Sequence, residues 1–182
     1  MRRRRPIACM MLGLALAVVA AVPRPAAADE GDKAGWSVAT DPRKRAFLQW
    51  VPVAGGPRQL LFACLRDADT FAVYSTGIPG VVPIRPYSRL TLSWGDRRWS
   101  IVGTVDPEPG NPRSTTFTAD TDQDAAGRAA IARELLPVLT APGPLVLQID
   151  ATPPIALPTR AANGMAGIEA ALPVFQRVCF SP

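Results

Sequence analysis

The chain reads as an α+β domain: a mostly antiparallel, sandwich-like sheet with two helices in the C-terminal half. Three observations carry that expectation. Short strand-like segments, some with period-two alternation, fill the first two thirds of the 182 residues, an Ala/Leu/Arg/Glu-rich stretch with helical spacing follows, and a second Ala-rich stretch closes the chain after one or two further strands.

The elements follow in order. Trp36 to Thr40 alternates apolar and polar residues and stops at Asp41-Pro42. Ala46 to Val53 begins after the charged turn Pro42-Arg43-Lys44-Arg45 and ends at Gly55-Gly56-Pro57. Arg58 to Arg66 is almost continuously apolar, which predicts a central strand covered on both faces. Asp67-Ala68-Asp69 turns the chain into Thr70–Thr76. Val81–Ile84 suits only a short edge piece, because Pro83 and Pro86 cannot donate to a central ladder. Arg89–Trp94 and Arg98–Gly103 flank a Gly-Asp pair, a compact hairpin signal. Residues Val105–Arg113 read as a proline-rich loop, and Ser114–Ala119 as a β-branched strand.

The period then changes. Ala126, Ala130, Ile131 and Leu135 fall on one helical face in a helix expected from Asp122 to about Leu136, capped by Asp120 or Thr121 and ended or kinked by Pro137. Pro144–Ala151 alternates as a strand, and Ile155–Thr159 suits a further short one. Asn163–Val178 reads as the second helix and delivers Cys179.

Residues 1–28 have the three parts of a secretory signal peptide. Four arginines, Arg2 to Arg5, precede an apolar run from Ile7 to Val22, and Ala26-Ala27-Ala28 offers a cleavage site before Asp29. The apolar run is shorter than the ~20 residues that cross the hydrocarbon core. The expected organisation is a signal peptide over 1–28, a mobile lead-in over 29–35 and one α+β domain over 36–182. The protein is then exported, periplasmic or extracellular, with no membrane span after signal removal.

Charge supports this division. The chain has 20 basic and 15 acidic residues, but five of the bases are leader arginines; without them fifteen bases meet fifteen acids. A neutral mature chain has no overall field that draws it to phosphate, so no nucleic-acid partner is expected. Histidine is absent, which excludes Ser-His-Asp and Cys-His catalysis and any His-ligated metal. The two lysines outside the leader, Lys33 and Lys44, lie in the lead-in and in a charged turn, poor places for a buried Ser-Lys dyad. Asp120-Thr121-Asp122-Gln123-Asp124 resembles the start of a calcium loop, but Ala125 and Ile131 occupy the positions that require Gly and Glu. No catalytic residue, metal ligand or cofactor is nominated. A hydrolase using a carboxylate pair remains the enzymatic alternative.

Two cysteines follow the leader. In an oxidising compartment Cys64 and Cys179 read first as a disulfide; two buried free thiols or a redox pair are the alternatives, the last usually spaced C-x-x-C. The other unusual feature is the hairpin cluster Arg89, Trp94, Arg97, Arg98 and Trp99. Trp and Arg are frequent in protein-contact hot spots, so Trp94, Arg97, Arg98 and Trp99 are a possible protein-contact site. The structural alternative turns the tryptophans into the core as a cross-strand pair.

Trp36-Ser37-Val38 after a leader, the apolar strand Leu60-Leu61-Phe62-Ala63-Cys64, and a last helix ending at Cys179 together resemble small exported bacterial proteins of the invasion-associated locus B type. The same features are similar to periplasmic accessory proteins of type VI secretion. The resemblance implies a disulfide-bonded, non-enzymatic envelope protein. The expected mode of action is binding, with an envelope protein partner or another envelope component. A small-ligand carrier is a third possibility, marked by a large apolar cavity.

Overall fold

The computed structural model describes residues 33–78, 87–108 and 111–181; the signal-peptide segment, residues 29–32 of the lead-in and the edge piece expected at Val81–Ile84 lie outside them. Among the described residues nine strands and two helices follow one another as β1 (Gly35–Asp41), β2 (Arg45–Val51), β3 (Leu60–Leu65), β4 (Thr70–Ile78), β5 (Ser88–Trp94), β6 (Arg97–Glu108), β7 (Asn111–Asp122), α1 (Ala125–Leu139), β8 (Leu145–Ile149), β9 (Ile155–Leu157) and α2 (Ile168–Cys179). The fold is the expected α+β class, with a mostly antiparallel sheet and both helices in the C-terminal half. The two faces of the expected sandwich belong to one continuous sheet, in the order β1-β2-β3-β4-β7-β6-β5-β8-β9, which curls into a half-barrel.

The curl is made by β6. Its first part, to Gly103, pairs with β5, while Thr104 onward pairs with β7. At the change of partner a side chain on residue 103 would run into the carbonyl of Thr118 and stand 2.8 Å from both the Ala119 Cβ and the Phe117 ring. Only glycine lets the strands approach so closely there.

Both helices pack inside the curl. α2 presents Ile168, Ala171, Leu172, Phe175 and Cys179 at helical spacing to β1, β2 and β3, while α1 lies against β5 and β6. One core joins them. Phe62 lies 6.2 Å from Phe71, 6.1 Å from Trp99 and 6.4 Å from Phe175, ring centre to ring centre. Burial of each such ring stabilises the fold by roughly 1.5–3 kcal/mol.

Several boundaries differ from the sequence expectation. Val105–Arg113 is not a loop: β6 continues to Glu108 and β7 starts at Asn111. Among the described residues β5 pairs with β6 only as far as Gly103, and beyond it β6 continues on β7, where Pro107 lies opposite Thr115. Asp120, Thr121 and Asp122 pair with Ala72, Phe71 and Thr70 as the end of β7 and do not cap a helix. The cap is Asp124, whose Oδ1 accepts from the Gly127 N–H at 2.8 Å, and Pro137 lies within the last turn of α1. α2 starts at Ile168 and not at Asn163, because Asn163 and Gly164, at φ 52 and 80°, form a turn in which Ala162 and Met165 exchange backbone bonds. β3 is an interior strand with helix cover on one face only. On the other face Ala63 is screened by its neighbours Phe47 and Ala72, and Leu61 and Leu65 stay half-buried.

Candidate functional site

The Cys64–Cys179 disulfide is present, joining β3 to the last residue of α2 across a sequence separation of 115, with Cα atoms 5.6 Å apart. Cys64 is 1% and Cys179 0% exposed. Arg66, two residues beyond Cys64, donates to the carbonyl oxygens of Val178 at 3.4 Å and Ser181 at 3.0 Å. A cation at a helix C-terminus is favoured by the unsatisfied carbonyls, so β3 fastens α2 by a covalent bond and by charge.

The opposite end of α2 is tied to the edges of the curl. After β9 the chain crosses back toward β1. The Trp36 N–H donates to the Ala166 carbonyl at 2.9 Å, Ala166 N–H to Ala34 at 3.0 Å, and Ile168 N–H to Thr159 at 2.8 Å. The Trp36 indole N–H reaches the Pro158 carbonyl at 2.7 Å. Residues 158–168 thus form a strap between the two edge strands.

Between this strap, the end of α1 and the start of α2 lies an open cleft of about 670 Å³. Leu139, Thr140, Ala141 and Pro142 form one wall, Thr159, Arg160 and Ala161 another, and the α2 face from Ile168 to Gln176 the third. Its floor is apolar: Leu139, Ala141, Ile168 and Leu172 are all buried core residues. Two charged residues line it, Arg160 and Glu169, both exposed.

Two members of the hairpin cluster, Trp94 and Arg97, lie beside this wall. A two-residue loop, Gly95-Asp96, with positive φ at Gly95, pairs Trp94 with Arg97 and Leu92 with Trp99. The expected direct Trp94–Trp99 pair therefore does not form; the two stand diagonally on the inner face. Trp99 is 5% exposed and meets Phe62 and Phe71 edge-on. Trp94 is half-buried, and its indole nitrogen lies 2.7 Å from where a Cβ on Gly143 would stand, one residue beyond cleft-lining Pro142. The Thr159 hydroxyl donates to the Gly143 carbonyl at 2.8 Å, joining the strap to the same loop. Arg97 lies 5.9 Å over the Trp94 ring and donates to the Pro137 carbonyl at 3.1 Å. Arg98, on the outer face, is exposed.

The resolved pKa shifts belong to a surface ion pair elsewhere. The Arg45 guanidinium grips both Asp67 oxygens, at 3.0 and 3.1 Å from Nε and 2.5 Å from Nη2, and this hydrogen bonding lowers the Asp67 pKa below the ordinary carboxylate value and raises that of Arg45. Among the described residues no group of three or more His, Cys, Asp or Glu is placed to hold a metal ion.

The cleft residues were not nominated from sequence. Arg160 follows Pro158-Thr159 with no periodic signal, and nothing local places the end of α1 beside the start of α2. No protein-family model, curated protein or solved structure matches the chain.

Proposed function

We propose that the protein is exported after removal of residues 1–28 and acts in the cell envelope by binding, as an accessory protein without chemistry of its own. The observation that carries this reading is the open cleft beside α2, which is apolar-floored and, among the described residues, lined by a single carboxylate, Glu169. Hydrolysis by paired acids needs two carboxylates ~5–10 Å apart across the substrate, and this cleft offers one. The cleft also favours a second reading, a small-ligand carrier, since its volume lies in the ~300–1,000 Å³ range of small-molecule sites. No helix among the described residues is long and apolar enough to cross a membrane.

Two measurements test the proposal. N-terminal sequencing of exported protein should begin at Asp29; protein retaining the four-arginine start counts against export by cleavage. Affinity capture from the envelope fraction of the host should yield a ligand or partner that is lost when Ala161→Trp obstructs the cleft. A captured set identical for both forms would move the binding surface away from α2.

A further inference from the structure

We infer that the cleft beside α2 takes a small amphipathic anion, a single apolar chain ending in one carboxylate, with the chain along α2 and the carboxylate on Arg160. The inference rests on the binding reading above and gives it a ligand class.

Shape sets the chain. The α2 face that lines the cleft runs from Ile168 to Gln176, about 12 Å at the α-helical rise, which matches one medium-length acyl chain. The apolar floor supplies the surface such a chain prefers to water. A bulky two-chain lipid does not suit a groove bounded on three sides by the strap, α1 and α2.

Charge sets the head group. Glu169 and Arg160 face the same cleft, but they are not equivalent. The Glu169 carboxylate is folded back over Gly167, where a Cβ would collide with its oxygens. Gly167 is the N-cap of α2 and supplies no side-chain cap bond. An acid in the first turn is favoured by the helix dipole and the unsatisfied N–H groups, so the charge of Glu169 is offset where it stands. Arg160 takes part in none of the three ion pairs among the described residues, which are Arg45–Asp41, Arg45–Asp67 and Arg128–Asp69. Among the described residues it is the one charge of the cleft without an ion-pair or helix-end partner, and its planar fork of donors suits a carboxylate.

Calorimetric titration of the disulfide-bonded protein with decanoate, acetate and decyltrimethylammonium tests this. Decanoate should bind at least tenfold more tightly than acetate, which has the charge without the chain, and than decyltrimethylammonium, which has the chain with the opposite charge. Arg160→Gln should weaken decanoate at least tenfold and abolish its advantage over the cation. Ala161→Trp, at an exposed position, should abolish decanoate binding while thermal unfolding is unchanged. Decanoate affinity indifferent to Arg160→Gln overturns the anion assignment, yet leaves a chain-binding cleft in place. Decanoate affinity indifferent to Ala161→Trp, or no binding to the unmodified protein, overturns the assignment altogether; the envelope capture experiment then still judges the binding reading by itself. Retention on phosphatidylglycerol vesicles without uptake of free decanoate overturns it in favour of a membrane surface.

Discussion

Arg97 donates to the carbonyl of Pro137 and lies over the ring of Trp94, so the hairpin supplies α1 with the C-terminal cation that its own last turn lacks. The two adjacent arginines of the hairpin therefore have different duties. Arg97 steadies the end of α1, and with it the wall formed by Leu139 to Pro142; Arg98 points outward from the sheet. Arg97→Ala should lower stability by roughly 0.3–1 kcal/mol, the usual range for a surface cation at a helix C-terminus, by more than Arg98→Ala does, and weaken decanoate binding with it. Arg98→Ala should change stability by less than ~0.5 kcal/mol. Chemical denaturation of both variants checks the difference; equal effects would mean that the Pro137 contact contributes nothing. If Arg98 serves a protein contact, its loss should show only in captured partners.

Gly103 marks where the sheet changes direction, and the prediction there is geometric. Gly103→Ala places a methyl against the Thr118 carbonyl and the Phe117 ring, and backbone cannot move aside as a side-chain tip does. Overpacking of this kind costs ~1–3 kcal/mol, which for a domain of this size lowers Tm by roughly 2–12 °C. A calorimetric Tm within a degree of the parent would show that the strands can part there freely.

The strands were legible because alternation is local. Arg89–Trp94 and Leu145–Ile149 alternate in burial as they do in sequence, and a period of two records that directly, whereas Leu48 to Val51 of β2 are buried without a break. The ends of elements were less legible because partners decide them. Thr121 and Asp122 look like the start of a helix, but β4 offers Phe71 and Thr70 to pair with them, and the strand runs on. Pro107 reads as a loop signal, but β7 offers Thr115 to pair with it and β6 runs on to Glu108. Ala-rich composition outweighed Asn163-Gly164, a turn signal that proved to be the structural one. The cleft was not legible at all. Its walls come from residues 139–142, 159–161 and 168–176, and only the docking of α1 and α2 into one curl brings them together.

Asp67 gives the fold a defined response to acid. Its pKa is lowered in the folded protein, first by the hydrogen bonds from Arg45 and then by that cation's charge, partly opposed by desolvation. A depressed folded pKa contributes stability that is present above the unfolded value, near 3.9, and is lost as pH falls through the folded value. Asp67→Asn should therefore lower the denaturation midpoint slightly at pH 7 and leave it unchanged at pH values below both pKa values. The difference should shrink in high salt, since the pair is at the surface. A wild-type advantage that persists undiminished into strong acid would assign the effect to packing instead.

The disulfide carries the firmest prediction. Cys64 sits in an interior strand under α2, and Cys179 is the last residue of that helix, so the bond restrains a loop whose ends are 115 residues apart. In the chain-entropy account a loop of this length corresponds to about 4–5 kcal/mol, and removal of native disulfides typically costs 2–5 kcal/mol. α2 has particular need of it. Pro173 lies inside the helix and Gly167 at its start gives no side-chain cap, so propensity alone does not sustain it. Phe175 depends on its docking, being fully buried beside Phe62 and Phe180. Cys64→Ser and Cys179→Ser should be equally destabilising, and the double variant no worse than either, because one bond is lost in all three. Arg66 should keep part of the helix end in place, so Arg66→Ala should cost more in the double serine background than in the oxidised protein. Because α2 forms one wall of the cleft, decanoate binding should weaken in every serine variant in step with stability. Thiol titration of denatured, unreduced protein supplies the direct check: no free thiol from Cys64 or Cys179 is expected, and free thiols at both positions would refute the bond.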